Sequence, residues 1–376
     1  MNPALSPSPL RLALAGAGQI GKRHMEEIAR NRDCVLSGIV DPAPAAQALA
    51  AGAGVPLYAT LAEMIEAARP DGVVIATPNH LHLEQALACL DAGIPALVEK
   101  PLAHSLDAGI RLCAAAEATN VPMLVGHHRR HSAIMAKAVD IVASGMLGQI
   151  VTVVGTALFY KAENAGYFDD AYAWRREPGG GPILINMIHE VGNLRALCGE
   201  IAEVQAFTSN ATRQFPVEDT AAIVLRFASG ALGTFMLSDT AASNRSWEHT
   251  SGEDPVYAKA HTDKDDCYLL AGTMGSLGIP TMRITRYAST AERSWHEGFD
   301  QSTIALDVRD PLARQMAHFC DVIRGAAAPL VSVRDGLQNL RVIDAISTAA
   351  KTGHSVTLAD DFPVPTPIRK RPAVAR

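Results

Sequence analysis

Leu10-Arg11-Leu12-Ala13-Leu14-Ala15-Gly16-Ala17-Gly18-Gln19-Ile20-Gly21 joins an apolar run to a glycine loop that opens a helical segment. Leu10 to Ala15 predicts a buried strand, and Ile20, His24 and Ile28 then recur at helical spacing. A lone Gly-x-Gly-x-x-Gly also arises in ordinary turns, so its context decides. Here each glycine has a distinct task. Gly16 permits the tight turn, Gly18 lets a ligand approach the backbone, and Gly21 lets the helix pack close to the strand. The N–H groups at the helix start, on Gln19 and Ile20, are then free to hold a pyrophosphate. Asp41 lies 20 residues beyond Gly21, at the end of the next apolar run. From there its carboxylate can accept hydrogen bonds from an adenosine ribose and repel a 2'-phosphate, so the cofactor expected is NAD rather than NADP. Lys22 and Arg23 are cations that would soften this preference, and Asp-Pro also commonly starts turns.

Outward from this loop, short apolar runs alternate with helical segments as far as Val125. The further strands predicted are Val35 to Val40, Val73 to Ala76, Ala96 to Val98 and Met123 to Val125, and Leu83, Ala86, Leu87 and Leu90 mark one crossover helix. This is the pattern of a doubly wound parallel sheet. Beyond Val125 a helix from Ser132 to Ala143 gives way to longer β-like runs at Ile150 to Phe159, Val204 to Thr208, Ala221 to Phe227, Ala231 to Leu237 and Met282 to Tyr287. Ala228-Ser229-Gly230 reads as a hairpin turn, which argues for an antiparallel or mixed sheet. His249 to Asp266 is polar and without period, as in a loop, and Leu312 to Arg324 and Arg334 to Thr352 return to helix. The expected organisation is therefore a tail over 1–9, a dinucleotide-binding Rossmann domain over 10–125, a substrate-binding α/β domain over 126–360 with an open, mostly antiparallel sheet, and a tail over 361–376.

The chain has 376 residues, 48% of them apolar and 19% charged, which suits two globular domains. A net charge of -6 supplies no basic field for a nucleic acid, so a small molecule is the expected partner. No apolar stretch is long enough to span a membrane. The six cysteines show no Cys-x-x-Cys pair and suit reduced thiols in the cytoplasm. The first nine residues lack the layout of a signal peptide, and Arg369-Lys370-Arg371 reads as a solvated terminus.

Four further segments, taken in order, resemble the glucose-fructose oxidoreductase, inositol dehydrogenase and MocA family. They are Ala76-Thr77-Pro78-Asn79 with His82; Glu99-Lys100-Pro101-Leu102-Ala103; Gly126-His127-His128-Arg129-Arg130; and Trp174-Arg175 with Gly179-Gly180-Gly181 and His189. The likeness extends to Gly272-Thr273-Met274-Gly275-Ser276-Leu277 and the closing helices. It implies a Rossmann domain followed by an α/β domain whose open sheet mediates homodimers or homotetramers. It also implies that Thr77, Pro78, Asn79, Glu99, Trp174 and Arg175 line the NAD site, with His82 either touching the cofactor or packing on its loop.

Lys100 follows a strand and precedes Pro101, so it projects from a carboxyl strand end, where ligands of open α/β sheets sit. The resemblance makes Lys100 catalytic and His189 the catalytic base, with Glu99 orienting Lys100 or the nicotinamide ribose. Gly179-Gly180-Gly181-Pro182 reads as a flexible entry to the helix that carries His189, and Asn186 shares its face at helical spacing. The family pattern has an aspartate four residues before this histidine and an acidic residue three after it. This chain has Ile185 and Gly192 there, so acid-base work falls on His189 and Lys100, and Asn186 is left to bind a hydroxyl. His128, Arg129 and Tyr160 are further candidates for the substrate pocket; Arg129 and Arg130 read equally well as salt-bridge residues. His80, His82, His127, His128 and His131 lack the carboxylate or cysteine that would complete a metal site, so no metal is expected.

The function expected is NAD-dependent hydride transfer at a secondary alcohol or ketone of a sugar, cyclitol or related cyclic polyol. Two other readings stay open: a dihydrodiol dehydrogenase or unsaturated-ring reductase, and a non-catalytic NAD-binding regulator on the same fold.

Overall fold

The computed structural model describes residues 8–163, 166–254, 258, 262 and 264–358. The tails expected at 1–9 and 361–376 lie wholly or almost wholly outside the described residues, as does part of the loop expected over His249 to Asp266.

The first half alternates strand and helix. Its elements are β1 (Leu10–Ala15), α1 (Gln19–Arg30), β2 (Cys34–Val40), α2 (Ala45–Ala53), β3 (Leu57–Tyr58), α3 (Leu61–Ala68), β4 (Gly72–Ile75), α4 (His82–Asp91), β5 (Ala96–Glu99), α5 (Leu106–Glu117) and β6 (Met123–Gly126). The strands pair in parallel in the order β3-β2-β1-β4-β5-β6. β4, β5 and β6 are buried along their whole length, as strands covered on both faces must be. Strand order reverses between β1 and β4, and the crevice above their carboxyl ends is where such sheets take ligands.

The second half contains α6 (Ala133–Ala143), β7 (Ile150–Leu158), α7 (Ile188–Cys198), β8 (Ile201–Ser209), β9 (Thr220–Phe227), β10 (Leu232–Ser238), α8 (Trp247–Ser251), β11 (Tyr268–Gly272), β12 (Gly275–Ile279), β13 (Arg283–Arg286), β14 (Asp300–Thr303), α9 (Pro311–Ile323), α10 (Val333–Thr352) and β15 (Val356–Thr357). Nine strands form one sheet in the order β14-β13-β12-β11-β7-β10-β9-β8-β15. Only β7 and β10 pair in parallel; the other neighbours are antiparallel. The hairpin expected at Ala228-Ser229-Gly230 joins β9 to β10, with Gly230 at φ 89°. Along β9 and β10 buried and more exposed residues alternate, so one face meets the core and the other faces outward. The inner residues Ile223, Leu225, Phe235 and Leu237 share a core with Val191 and Leu194 of α7 and Ile343 and Ile346 of α10.

Two closing helices tie the halves together. Met316, Phe319 and Cys320 of α9 lie in one core with Leu12, Leu14, Val74 and Leu97 of the parallel sheet. Leu337, near the start of α10, packs with Val73, Val98 and Val125 of the same sheet, while later residues of α10 join the second core. Helices far along the chain thus cover a sheet built near its beginning, which a single division at residue 126 does not capture. Local chemistry starts both helices: Asp310 accepts from the Leu312 N–H ahead of Pro311, and Ser332 and Asp335 form a reciprocal capping box.

Candidate active site

The glycine loop has the geometry its sequence requires. Gly16 takes φ 92°, and a Cβ on Gly21 would stand 2.0 Å from the Gly16 carbonyl oxygen, so α1 passes too close for any side chain. Nothing would obstruct a Cβ on Gly18 within 4 Å, and no side chain caps the start of α1 there. Gln19 and Ile20 therefore begin α1 with backbone N–H groups that no capping side chain occupies, in the open cradle a pyrophosphate fits. Asp41 reaches back over this loop: its Oδ2 accepts from Ala17 N at 2.8 Å and its Oδ1 from Ala43 N at 2.8 Å. The turn role and the position beside the glycine loop coexist, since each oxygen keeps a lone pair for a ribose hydroxyl.

The Thr77-Pro78-Asn79 segment borders the same crevice, because a Cβ on Gly16 would meet the Ala76 carbonyl at 2.6 Å. Thr77 Oγ1 donates to Gln85 Oε1 at 2.7 Å. His82 is fully buried, its two ring nitrogens 2.9 Å from the carbonyls of Pro101 and Thr77. Of its two expected roles, packing is the observed one: both nitrogens face the protein and fasten this loop to the turn after β5. Glu99 is buried as well, with Oε1 2.8 Å from His24 Nε2 and Oε2 accepting from the Lys100 N–H at 3.1 Å. Its carboxylate orients the Lys100 backbone, the first of the two roles expected of it.

Lys100 extends from the end of β5 across to the second domain, where Nζ donates to the Ile185 carbonyl at 3.3 Å. Residues Ile183–Met187 form a π-helical turn that leads directly into α7. The sequence suggests uniform helix here; the wider turn is the difference, and such turns concentrate at functional sites. Glu218 supports its start, accepting from Ile183 N at 3.0 Å, and a Cβ on Gly181 would collide with that carboxylate at 2.4 Å.

His189 sits in the first turn of α7, only 6% exposed. Its ring lies 5.0 Å from that of His128 and 5.9 Å from that of His127, both edge-on. Burial, then the positive charges of Lys100 and Arg129, hold His189 well below the ordinary imidazole range. Burial likewise lowers His128, and pushes His127 down to about 3, so all three rings are neutral at physiological pH. Burial also draws the Lys100 ammonium down to about 8, against the opposing pull of Glu99. A neutral imidazole and a lysine poised near the working pH are the equipment of proton transfer.

Asn186 does not share partners with His189. Asn186 lies within the π-helical turn and His189 in the helix that follows, and the Asn186 Oδ1 accepts from Lys161 Nζ at 2.8 Å. Lys161 also donates to the Tyr167 hydroxyl at 3.1 Å and stands 3.6 Å from Asp239. Sequence reasoning overlooked Lys161 and Tyr167, although a cation just past the end of β7 obeys the same strand-end rule that singled out Lys100.

Arg129 makes the ion pairs that were one of its two expected readings. It is 3% exposed, donates to Glu190 at 2.5 Å, and forms a second ion pair with Glu248. Its guanidinium is also 5.7 Å from the Trp247 ring. A charge matched by two carboxylates in the interior has none left for a substrate, so Arg129 is structural. Tyr268 donates to the other oxygen of Glu190 and completes this network. Tyr160 is exposed, with Arg213 5.6 Å from its ring centre. Trp174 is 48% exposed, and Arg175 donates to the Tyr167 carbonyl at 2.9 Å with its guanidinium over Tyr167 and Tyr172. These three residues lie on the Lys161 side of the site. Among the described residues no three His, Cys, Asp or Glu side chains converge as a metal site would need.

Residues 10–127 match the model of an oxidoreductase family with an NAD-binding Rossmann fold, and residues 135–277 match the C-terminal domain of the same family. The chain belongs to the Gfo/Idh/MocA oxidoreductase family. It is 30% identical to the rhizopine catabolism protein MocA of Rhizobium meliloti, over 50% of this chain and 57% of that protein. It is 28% identical to 1,5-anhydro-D-fructose reductase of Ensifer adhaerens, over 77% of this chain and 80% of the reductase. Among solved structures, the WlbA dehydrogenase from Bordetella pertussis in complex with NADH and UDP-GlcNAcA superimposes with a TM-score of 0.73. That match covers 93% of this chain and 99% of the other at 24% identity. Like its relatives, this Gfo/Idh/MocA protein pairs a parallel NAD-binding sheet with a second, mostly antiparallel one. No helix among its described residues is long and apolar enough to cross a membrane.

Proposed function

We propose that this oxidoreductase transfers hydride between NAD and a secondary alcohol or ketone of a sugar, cyclitol or related cyclic polyol. The observation that carries this reading is the meeting of Lys100, from the end of β5, with the turn that leads into the His189 helix. The relatives act on, or are bound to, carbohydrates by name, and the Bordetella structure holds NADH.

Gly16, Gly18, Gln19, Ile20 and Gly21 hold the pyrophosphate, Asp41 the adenosine ribose, and Thr77, Pro78 and Asn79 the edge of the crevice. Trp174 and Arg175 close the cofactor site from the second domain. When bound, NAD supplies the hydride acceptor. His189, neutral and beside His128, accepts the hydroxyl proton as the adjacent carbon loses its hydride. Lys100 places its ammonium against the oxygen on which negative charge develops. Glu99 fixes the Lys100 backbone from below, and His24 holds Glu99.

The exposed apolar residues Val154, Phe207, Val224 and Met236 on the outer face of the second sheet support a homodimer or homotetramer formed through that face. Six buried free thiols suit a cytoplasmic protein.

The test is a panel of sugars, cyclitols, sugar acids and cyclic diols assayed for NAD reduction. Lys100→Met should lower turnover roughly 100-fold or more on the active class while NAD binding persists. Equal turnover in the variant removes Lys100 from the mechanism. Tight NAD binding with no turnover of any panel member rejects the dehydrogenase reading in favour of a regulator.

A further inference from the structure

The hydrogen-bonding character of the wall at the π-helical turn, which Lys100 also reaches, is set by one residue. Lys161 has only protons to offer, and it offers them to Asn186 Oδ1 at 2.8 Å and the Tyr167 phenol oxygen at 3.1 Å, with Asp239 at 3.6 Å. A lysine ammonium cannot accept, so Asn186 must turn its oxygen toward Lys161 and is left with its NH2 group as a donor. Tyr167 accepts through its oxygen and keeps its own proton to donate. Among the described residues neither group has an acceptor. Ile185 and Asn186 are consecutive, so Lys100 and Lys161 meet the chain at adjacent positions, and Lys100 adds a third donor to the same wall. The nearby carboxylates are engaged elsewhere: Asp239 by Arg213 at 3.2 Å, and Glu248 by Arg129.

A wall made of donors discriminates between ligands. Each hydroxyl of a neutral polyol can accept one such bond but brings a proton that needs an acceptor, and among the described side chains of this wall none is left to supply one. A carboxylate brings two acceptor oxygens and a negative charge, which matches the two donors and the positive charge of Lys161 behind them. We propose that the substrate is a hydroxy acid of the sugar type, a uronate or aldonate, and that its carboxylate is received by Asn186 and Tyr167 while the Lys100 ammonium stays with the reacting oxygen. Lys161 is the positioning residue that makes the first two donors. This rests on the hydride-transfer reading above.

The test compares D-glucuronate with D-glucose, and D-galacturonate with D-galactose, on the NAD-loaded protein. In the wild type kcat/KM for each uronate should exceed that of its neutral partner by about 10-fold or more, the worth of one charged hydrogen bond. Lys161→Met should raise the uronate KM about 10-fold more than that of the neutral sugar while kcat stays within about threefold. Asn186→Asp should lower the uronate-to-neutral preference by about 10-fold or more, because an acceptor then faces the ligand. A neutral sugar that matches or exceeds its uronate, or a Lys161→Met variant that impairs both alike, overturns the proposal and leaves the dehydrogenase reading intact. If no sugar of either kind is oxidised, calorimetry decides the carboxylate site by itself. Glucuronate binding that exceeds glucose binding and weakens in Lys161→Met sustains the site; equal binding overturns it.

Discussion

At the scale of the residue, the two groups proposed to handle the proton differ in how their surroundings tune them. Burial comes first in lowering both Lys100 and His189. For His189 the result is a free base throughout the physiological range. For Lys100 it is a group that titrates near 8, so its cation is present below that pH and lost above it. The kcat/KM profile for alcohol oxidation should accordingly fall as pH rises through about 8 and show no loss near 6.5, where an ordinary histidine titrates. A profile that instead rises through 8 would make neutral Lys100 the base and reduce His189 to a binding group. Lys100 and His189 were legible in the sequence because strand ends and motif order locate them. For Arg129 the sequence left substrate contact and salt bridge equally open, because its two carboxylate partners come from α7 and α8, and only folding brings a buried guanidinium to Glu190 and Glu248.

At the scale of the element, the junction of β1 with α1 carries the strictest steric demand. The Cβ of any residue at position 21 would lie 2.0 Å from the Gly16 carbonyl oxygen, a backbone atom that cannot swing aside. Gly21→Ala should therefore cost about 1–3 kcal/mol in folding stability and weaken NAD binding by an order of magnitude or more, read by denaturant titration and calorimetry. Unchanged NAD affinity would mean that the loop shifts without disturbing its anion cradle. The turn at Ile183–Met187 shows the limit of local inference. Its residues have no pattern that separates a π-turn from an α-turn, and its geometry is held by Glu218 and Lys100, which arrive from other elements. Strands β11, β12 and β14 escaped the sequence in the same way, being short and threaded with glycine or polar residues, and they form because a neighbour offers a free edge.

At the scale of the whole molecule, the second sheet leaves one face without cover. Phe207 on that face is 72% exposed, and Val224 and Met236 beside it line the same groove. If the proposed oligomer forms through this face, Phe207→Asp should shift it toward monomer in light scattering with little change in NAD affinity, since a charge set into an apolar interface has no partner. An unchanged mass would move the contact to another face.

The glycine loop, the alternation of strand and helix and the place of Lys100 were determined by the sequence alone, because each rests on contacts between residues near in the chain. The closure of α9 over the first sheet, the burial of Arg129 and the donor wall organised by Lys161 were decided only by the tertiary structure. They depend on groups far apart in sequence whose desolvation and hydrogen bonding exist only once both cores have packed.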